Sequence, residues 1–370
     1  MRNLNTILDG LKSQNRYRQL QLPMGVDLTS NDYLGMAVHP DLRICAIEAL
    51  EAGLDIGAAG SRLLRGHTDA HAQLEEFSAR HFNAGKALYF SSGFQANYAL
   101  LTSLPVRGDV VVYDSLVHAS MRDGIAASHA KSFKSAHNDL DALEDVLKKH
   151  RDTAKTLWVA IESVYSMDGD LAPLAGIYEL AEKYDAYIMI DEAHGSGVYG
   201  TGGRGCAWEL IEEYGYDRLI TVHTCGKAIG VAGGLVCASV QVIDYLVNRA
   251  RPFIFSTAPM PLQALLVQKS LEILAGVDGD VRRAKLHNLC MQAEILFDGH
   301  GSQIVPIILG EDVRALRVAT ALQEQGYDIR AIRPPSVPEG SARLRLSLSS
   351  ELDSNILQNF SDALEPLMKG

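Results

Sequence analysis

From about residue 85, short apolar runs at 87–90, 110–113, 157–161, 186–190, 219–222 and 235–238 alternate with amphipathic stretches, notably 140–149 and 174–184. Short apolar runs separated by helical candidates are the pattern of strands joined by crossover helices, so a mostly parallel α/β sheet is expected. After Arg251-Pro252 the pattern changes. Long helical stretches at about 262–275 and 281–298 lead into alternating strand and helix segments, which places a smaller α/β domain at the C-terminus. There, residues 343–348 alternate polar and apolar side chains, as a half-buried strand should. The first thirty residues read as a polar lead-in, in which Leu4, Ile7, Leu8 and Leu11 share one helical face expected to dock on something. The expected organisation is an N-terminal segment 1–40, a large domain 41–255 and a C-terminal domain 256–370.

Composition narrows the function. Hydrophobic residues make up 47% of the 370 and charged residues 21%, as in a compact soluble protein. A net charge of -11 argues against a nucleic-acid or acidic-membrane partner, because phosphate backbones reward clustered Lys and Arg. Without a bilayer-length apolar run or a cleavable leader, the expected location is cytoplasmic. The five cysteines are scattered and lack C-x-x-C spacing, so they read as reduced packing residues, Cys225 included, and no metal site is expected.

In open α/β sheets ligands collect beyond the carboxyl ends of the strands. The small-residue turn Ser92-Gly93-Phe94 follows the first run; it can be an ordinary strand-to-helix turn or a phosphate cradle. His118 follows the second run, as a capping or core residue or as a flat ring over an aromatic cofactor. Asp191 ends the run 186–190, with His194 three positions later. A buried acid needs a cationic partner, and Asp-x-x-His supplies too few ligands for a metal. Lys227 follows the run 219–222 among small residues, where desolvation would lower an amine's pKa and let it attack a carbonyl. Together the acid, the amine, the stacking histidine and the phosphate turn are the parts that pyridoxal 5'-phosphate (PLP) requires. Asp191 would keep the pyridine nitrogen protonated, and His194 could hydrogen-bond the ring hydroxyl. Lys227 would hold the aldehyde carbon and exchange protons at the substrate α carbon. A nicotinamide-dependent dehydrogenase gains nothing from this pattern, since no strand is followed by G-x-G-x-x-G.

The motifs Ser30-Asn31-Asp32-Tyr33-Leu34-Gly35, Ser92-Gly93-Phe94, Ser166-Met167-Asp168-Gly169-Asp170, Asp191-Glu192-Ala193-His194-Gly195 and Thr224-Cys225-Gly226-Lys227 resemble, in order and spacing, those of the alpha-oxoamine synthases. That resemblance implies a fold-type I PLP-dependent transferase, aspartate-aminotransferase-like, that condenses an amino acid with an acyl thioester. By matched position it implies Lys227 as the Schiff-base lysine, Asp191 as the pyridine-nitrogen partner, His118 as the stacking ring and His194 as the ring-hydroxyl partner. Gly93, Phe94, Ser166 and Thr224 match cofactor contacts. Arg18, Asn31, His118, Arg333 and Ser336 match the substrate side, with Arg16 an alternative register for Arg18. The tail Arg333-Pro334-Pro335-Ser336-Val337-Pro338, followed by Ala342-Arg343-Leu344-Arg345-Leu346, is similar to members of biotin synthesis that join L-alanine to a pimeloyl thioester on acyl carrier protein or coenzyme A. Sister enzymes using glycine or serine share the machinery. A non-catalytic subunit of the same fold is a further reading, but such subunits typically lack the lysine that is present here as Lys227. The resemblance further implies a homodimer in which Ser256 and Thr257 reach the neighbour's cofactor, and the loop 56–62 has alanines where relatives often carry Gly-Ser-Gly-Gly.

Overall fold

A computed structural model describes residues 3–369. By its contacts the chain forms two compact units, one of Leu34–Tyr165 with Leu171–Arg283, the other of the described residues within 1–33, 166–170 and 284–370. The contact boundary lies at Arg283, beyond the sequence-based division at 255/256, because the helix Pro261–Ala275 packs on the helices Asp69–His81 and Pro40–Glu51. The lead-in groups with the C-terminal unit through a short parallel pairing of β1 (Val26–Asp27) with β10 (Tyr327–Asp328).

The larger unit is built on β2 (Lys86–Phe90), β3 (Val110–Asp114), β4 (Lys131–Ser135), β5 (Leu157–Glu162), β6 (Ala186–Asp191), β7 (Leu219–Thr224) and β8 (Gly234–Ala238), in the order β2-β8-β7-β6-β5-β3-β4. β3 to β7 pair in parallel, while β8 runs antiparallel to both neighbours. The apolar runs are these strands. They are buried because helices cover them: Leu100, Met121, Ile125, Ile243 and Phe253 pack with Val111, Met189 and Val222 in one core. β4 escaped the sequence reading. Its residues Lys131-Ser132-Phe133-Lys134-Ser135 are mostly exposed at the sheet edge, where charged side chains discourage a further strand from pairing.

In the smaller unit β9 (Ile304–Gly310) and β11 (Ala331–Ile332) flank β12 (Ala342–Ser347), all antiparallel. The expectation of a half-buried strand at 343–348 needs correction, because every residue of β12 is buried, including Arg343 and Arg345. Both guanidinium groups are satisfied inside: Arg343 Nη1 meets Asp168 Oδ1 at 2.5 Å, and Arg345 Nε donates to Ser166 O at 2.5 Å. The helix Leu4–Ser13 forms as the spacing predicts, but Leu4, Ile7, Leu8 and Leu11 stay exposed in this single chain. The five cysteines are free. Among the described residues no helix is long and apolar enough to cross a membrane.

Candidate active site

The parallel register of the large sheet aligns strand ends, pairing Glu162 with Asp191 and Asp191 with Val222. Asp191 therefore arrives at the carboxyl edge by strand length alone, and it is 3% exposed. Its Oδ2 accepts from Asn97 Nδ2 at 2.6 Å and its Oδ1 from the Ala193 N–H at 2.9 Å. Both donors are neutral. Among the described residues no cation forms an ion pair with Asp191.

Past β7 the chain turns through Thr224 and Cys225 to Lys227, which is half-buried. Lys227 Nζ lies 2.7 Å from His194 Nε2, so the two residues that sequence placed on separate strand ends are in direct contact. Cys225 is fully buried, and burial pushes its thiol well above the ordinary range, in keeping with a packing role.

Gly93 opens the helix Gly93–Ser103, capped by Ser92 Oγ accepting from the Gln95 N–H at 3.1 Å. The first-turn amides at Gly93 and Phe94 have no carbonyl within the helix to serve, which makes this end suited to an anion. A β-carbon at Gly93 would overlap Thr224 Oγ1, and one at Gly234 would stand 2.8 Å from Gly93 Cα. Glycine thus lets helix, β7 and β8 close together. Gly93→Ala is expected to weaken PLP binding about tenfold to a hundredfold, since moving packed neighbours costs about 1–3 kcal/mol. Titration of cofactor fluorescence checks this, and unchanged affinity would mean that Thr224 turns aside freely.

His118 caps the helix Ala119–Ala127, with Nδ1 accepting from the Ser120 N–H at 3.2 Å and lying 2.8 Å from Ser120 Oγ. Burial holds its pKa below the usual range; the nearby Asp191 raises it and Lys227 lowers it. All of these residues belong to the larger unit.

The smaller unit collects the other expected residues in two groups. Asn31 and Ser166 are joined by Arg345, whose Nη2 donates to Asn31 Oδ1 at 3.1 Å while its Nε holds Ser166 O. Tyr33 OH also donates to Asn31, at 2.9 Å. The second group is Arg18, Arg333 and Ser336, which line a recess of about 200 Å³. Arg18 Nη2 donates to Ser336 Oγ at 3.1 Å, and Arg333 Nη1 to Asn15 O. Arg333 Nε is buried without a hydrogen-bond partner. Arg16 differs from Arg18, being committed to ion pairs with Asp312 at 2.9 Å and Glu339 at 2.8 Å.

Sequence reading missed Asn97 and Ser120 as supports of Asp191 and His118 in the larger unit, and Arg345 as the support of Asn31 and Ser166 in the smaller one. Asn97 carried a signal, since a polar residue on a helix face shared with Leu100 and Leu101 needs a buried partner. Arg345 was hidden by an alternation that also describes a strand with one solvated face.

The model of the family "Aminotransferase class I and II" matches residues 23–364. The chain belongs to that family. A curated relative in this family, an 8-amino-7-oxononanoate synthase of Herminiimonas arsenicoxydans, is 43% identical over 94% of this chain and 94% of its own. Among solved structures, a serine palmitoyltransferase from S. paucimobilis with bound PLP superposes with a TM-score of 0.90 at 26% identity, covering 100% of this chain and 99% of the other. An 8-amino-7-oxononanoate synthase from Francisella tularensis gives 0.79 at 29% identity, covering 93% and 97%. These relatives agree with the alpha-oxoamine synthase resemblance carried by the motifs, and the fold is that of fold-type I PLP transferases.

The cofactor of this family is PLP, and the donor set fits it. A buried carboxylate held only by neutral donors is costly without a cation, and a protonated pyridine nitrogen supplies one. Lys227 provides an amine, and the open amides at Gly93 and Phe94 suit a phosphate.

Proposed function

We propose that this chain catalyses the decarboxylative condensation of L-alanine with a pimeloyl thioester, on acyl carrier protein or coenzyme A, to give 8-amino-7-oxononanoate, carbon dioxide and free carrier in biotin synthesis. The observation that carries this reading is the 43% identity, across 94% of both chains, to a curated enzyme of that name. The buried Asp191 and the Lys227–His194 contact support the chemistry.

Bound PLP supplies an electron sink conjugated to the amino acid's α carbon. Lys227 is the amine that anchors the cofactor, and on release it takes the α proton and later returns one. Asp191 keeps a proton on the ring nitrogen, so that the ring draws electrons strongly. His118 would lie against the bound cofactor, and His194, which holds Lys227 Nζ, would hydrogen-bond the ring hydroxyl. Gly93 and Phe94 offer backbone amides to the phosphate, with Thr224 and Ser166 as further cofactor contacts. On the substrate side stand Asn31, Arg18, Arg333 and Ser336. The guanidinium of Arg333 lines the recess with Arg18 and Ser336 and suits a carboxylate.

The active species of this reading is a cytoplasmic homodimer. Support for a second copy comes from Ile44, Ile47 and Leu50, all exposed on the helix Pro40–Glu51, with Leu63 and Leu64 exposed nearby in sequence.

The test is a matrix of alanine, glycine and serine against pimeloyl, acetyl, succinyl and palmitoyl thioesters, read by product mass. Alanine with a pimeloyl thioester is expected to exceed every other pair by at least about tenfold, the discrimination that one or two methylene contacts provide. Preference for glycine or serine would move the chain to a sister activity, and comparing the two carriers identifies the donor.

A further inference from the structure

A buried chain of hydrogen bonds runs between Asp191 and His118. Asn97, 2% exposed, donates one amide hydrogen to Asp191 Oδ2 at 2.6 Å and the other to Ser120 Oγ at 3.0 Å. The orientation of the amide follows from its neighbours, because an oxygen turned toward Asp191 would set two acceptors against each other in a dry site. Keeping both donors in place leaves Asn97 Oδ1 buried without a hydrogen-bond partner. Buried polar atoms are rarely left so, and the arrangement persists here because both donated bonds are used.

Ser120 is fully buried and receives the Asn97 hydrogen on its oxygen, which leaves its own hydroxyl hydrogen for His118 Nδ1 at 2.8 Å. The Ser120 N–H points to the same nitrogen at 3.2 Å. With two donors aimed at Nδ1, the neutral ring carries its hydrogen on Nε2, and a proton added at Nδ1 would face two other hydrogens.

We propose that Asn97 and Ser120 are positioning residues that couple the carboxylate of Asp191 to the ring of His118, fixing its tautomer and keeping it uncharged. This rests on the roles proposed above for Asp191 and His118. The chemistry gives the coupling a purpose. A ring stacked on a protonated pyridine should be neutral, since two cations in contact repel. The Asp191 side chain takes one Asn97 donor, and the remaining donor then orders the hydroxyl toward His118. The charged groups that act on the ring are Asp191 and Asp123, which favour its protonation, and Lys227 and Arg122, which oppose it along with burial.

Full-length protein labelled with 15N-histidine, its His118 signals assigned with His118→Gln, reports tautomer and protonation, first without cofactor and then with added PLP. His118 is expected as the Nε2–H form at neutral pH. Asn97→Ala frees the Ser120 hydroxyl to accept from a protonated Nδ1, so the His118 midpoint should rise by about one pH unit. Ser120→Ala keeps Asn97 on Asp191 and should raise it similarly, and the double variant should add nothing, as for members of one chain. An unmoved midpoint in Asn97→Ala, or shifts that add in the double variant, would overturn the proposal. Should Asn97→Ala fail to fold, an unmoved midpoint in Ser120→Ala overturns it alone. Attachment of PLP to Lys227 in the unsubstituted protein is followed separately by absorbance. Failure there refutes the cofactor role of Lys227 without touching the His118 titration.

Discussion

Lys227→Ala is expected to abolish the visible absorbance of covalently attached PLP and to lower turnover roughly 10^3-fold or more, because one amine serves as both anchor and proton carrier. The variant should still fold. Lys227 is half-buried beside His194, and alanine leaves a space open to solvent and not a sealed cavity. Borohydride reduction of the unsubstituted protein with PLP, followed by peptide mass mapping, should place the label on Lys227. Turnover at the normal rate in Lys227→Ala, or a label on another lysine, would sink the assignment. Non-covalent PLP should remain measurable in the variant, since Asp191 and the Gly93 turn do not depend on the amine.

The second large effect is on stability in acid. Burial holds His71 at a pKa of about 4, His81 at about 4 and His223 at about 3, with the positive charge of Arg62 adding to the effect at His71 and that of Arg204 at His81. Each ring is built in as a neutral group. His71 Nε2 donates to Pro259 O at 2.9 Å, while His223 sits between Ser196 Oγ and Thr221 Oγ1, each at 2.8 Å, and stacks on Phe82 at 3.7 Å. A histidine whose folded pKa lies below its unfolded value contributes no pH dependence above about 6.5. Below that the unfolded chain takes up protons that the folded chain refuses, so stability falls as pH falls from 6.5 toward 4. Each such histidine costs about 1.4 kcal/mol per pH unit in this window, or roughly 6 kcal/mol for three at pH 5, comparable with the whole stability of many domains. In urea unfolding at a series of pH values these three histidines should contribute a slope of about three protons between pH 6 and 5, read as the slope lost when they are replaced by glutamine. A contribution near zero would mean that these rings protonate in the folded state.

The larger unit was legible where the signal was local. Apolar runs at 87–90, 110–113, 157–161 and 186–190 became β2, β3, β5 and β6, since a stretch that must lie inside a sheet is marked by its own side chains. β4 was not legible. An edge strand needs no apolar face, and Lys131 to Ser135 carries none of the usual marks. The reversed direction of β8 was equally silent, because an apolar run does not say which way it runs. Arg343 and Arg345 misled for a related reason: polar alternation announces a wet face unless acceptors such as Asp168 and Ser166 O, far away in sequence, are folded against it.

What the sequence determined by itself was a set of chemical groups at strand ends, Asp191 after β6 and Lys227 after β7 among them. Strand length and turn chemistry act over a few residues, and that suffices to bring such groups to one edge of a parallel sheet. Only the tertiary structure decided their partners: Lys227 with His194, 33 residues apart, and Asp191 with Asn97, 94 residues apart. A hydrogen bond is specified to a few tenths of an ångström, and at such separations that position is set by packing between helix and sheet, which no short stretch of sequence encodes.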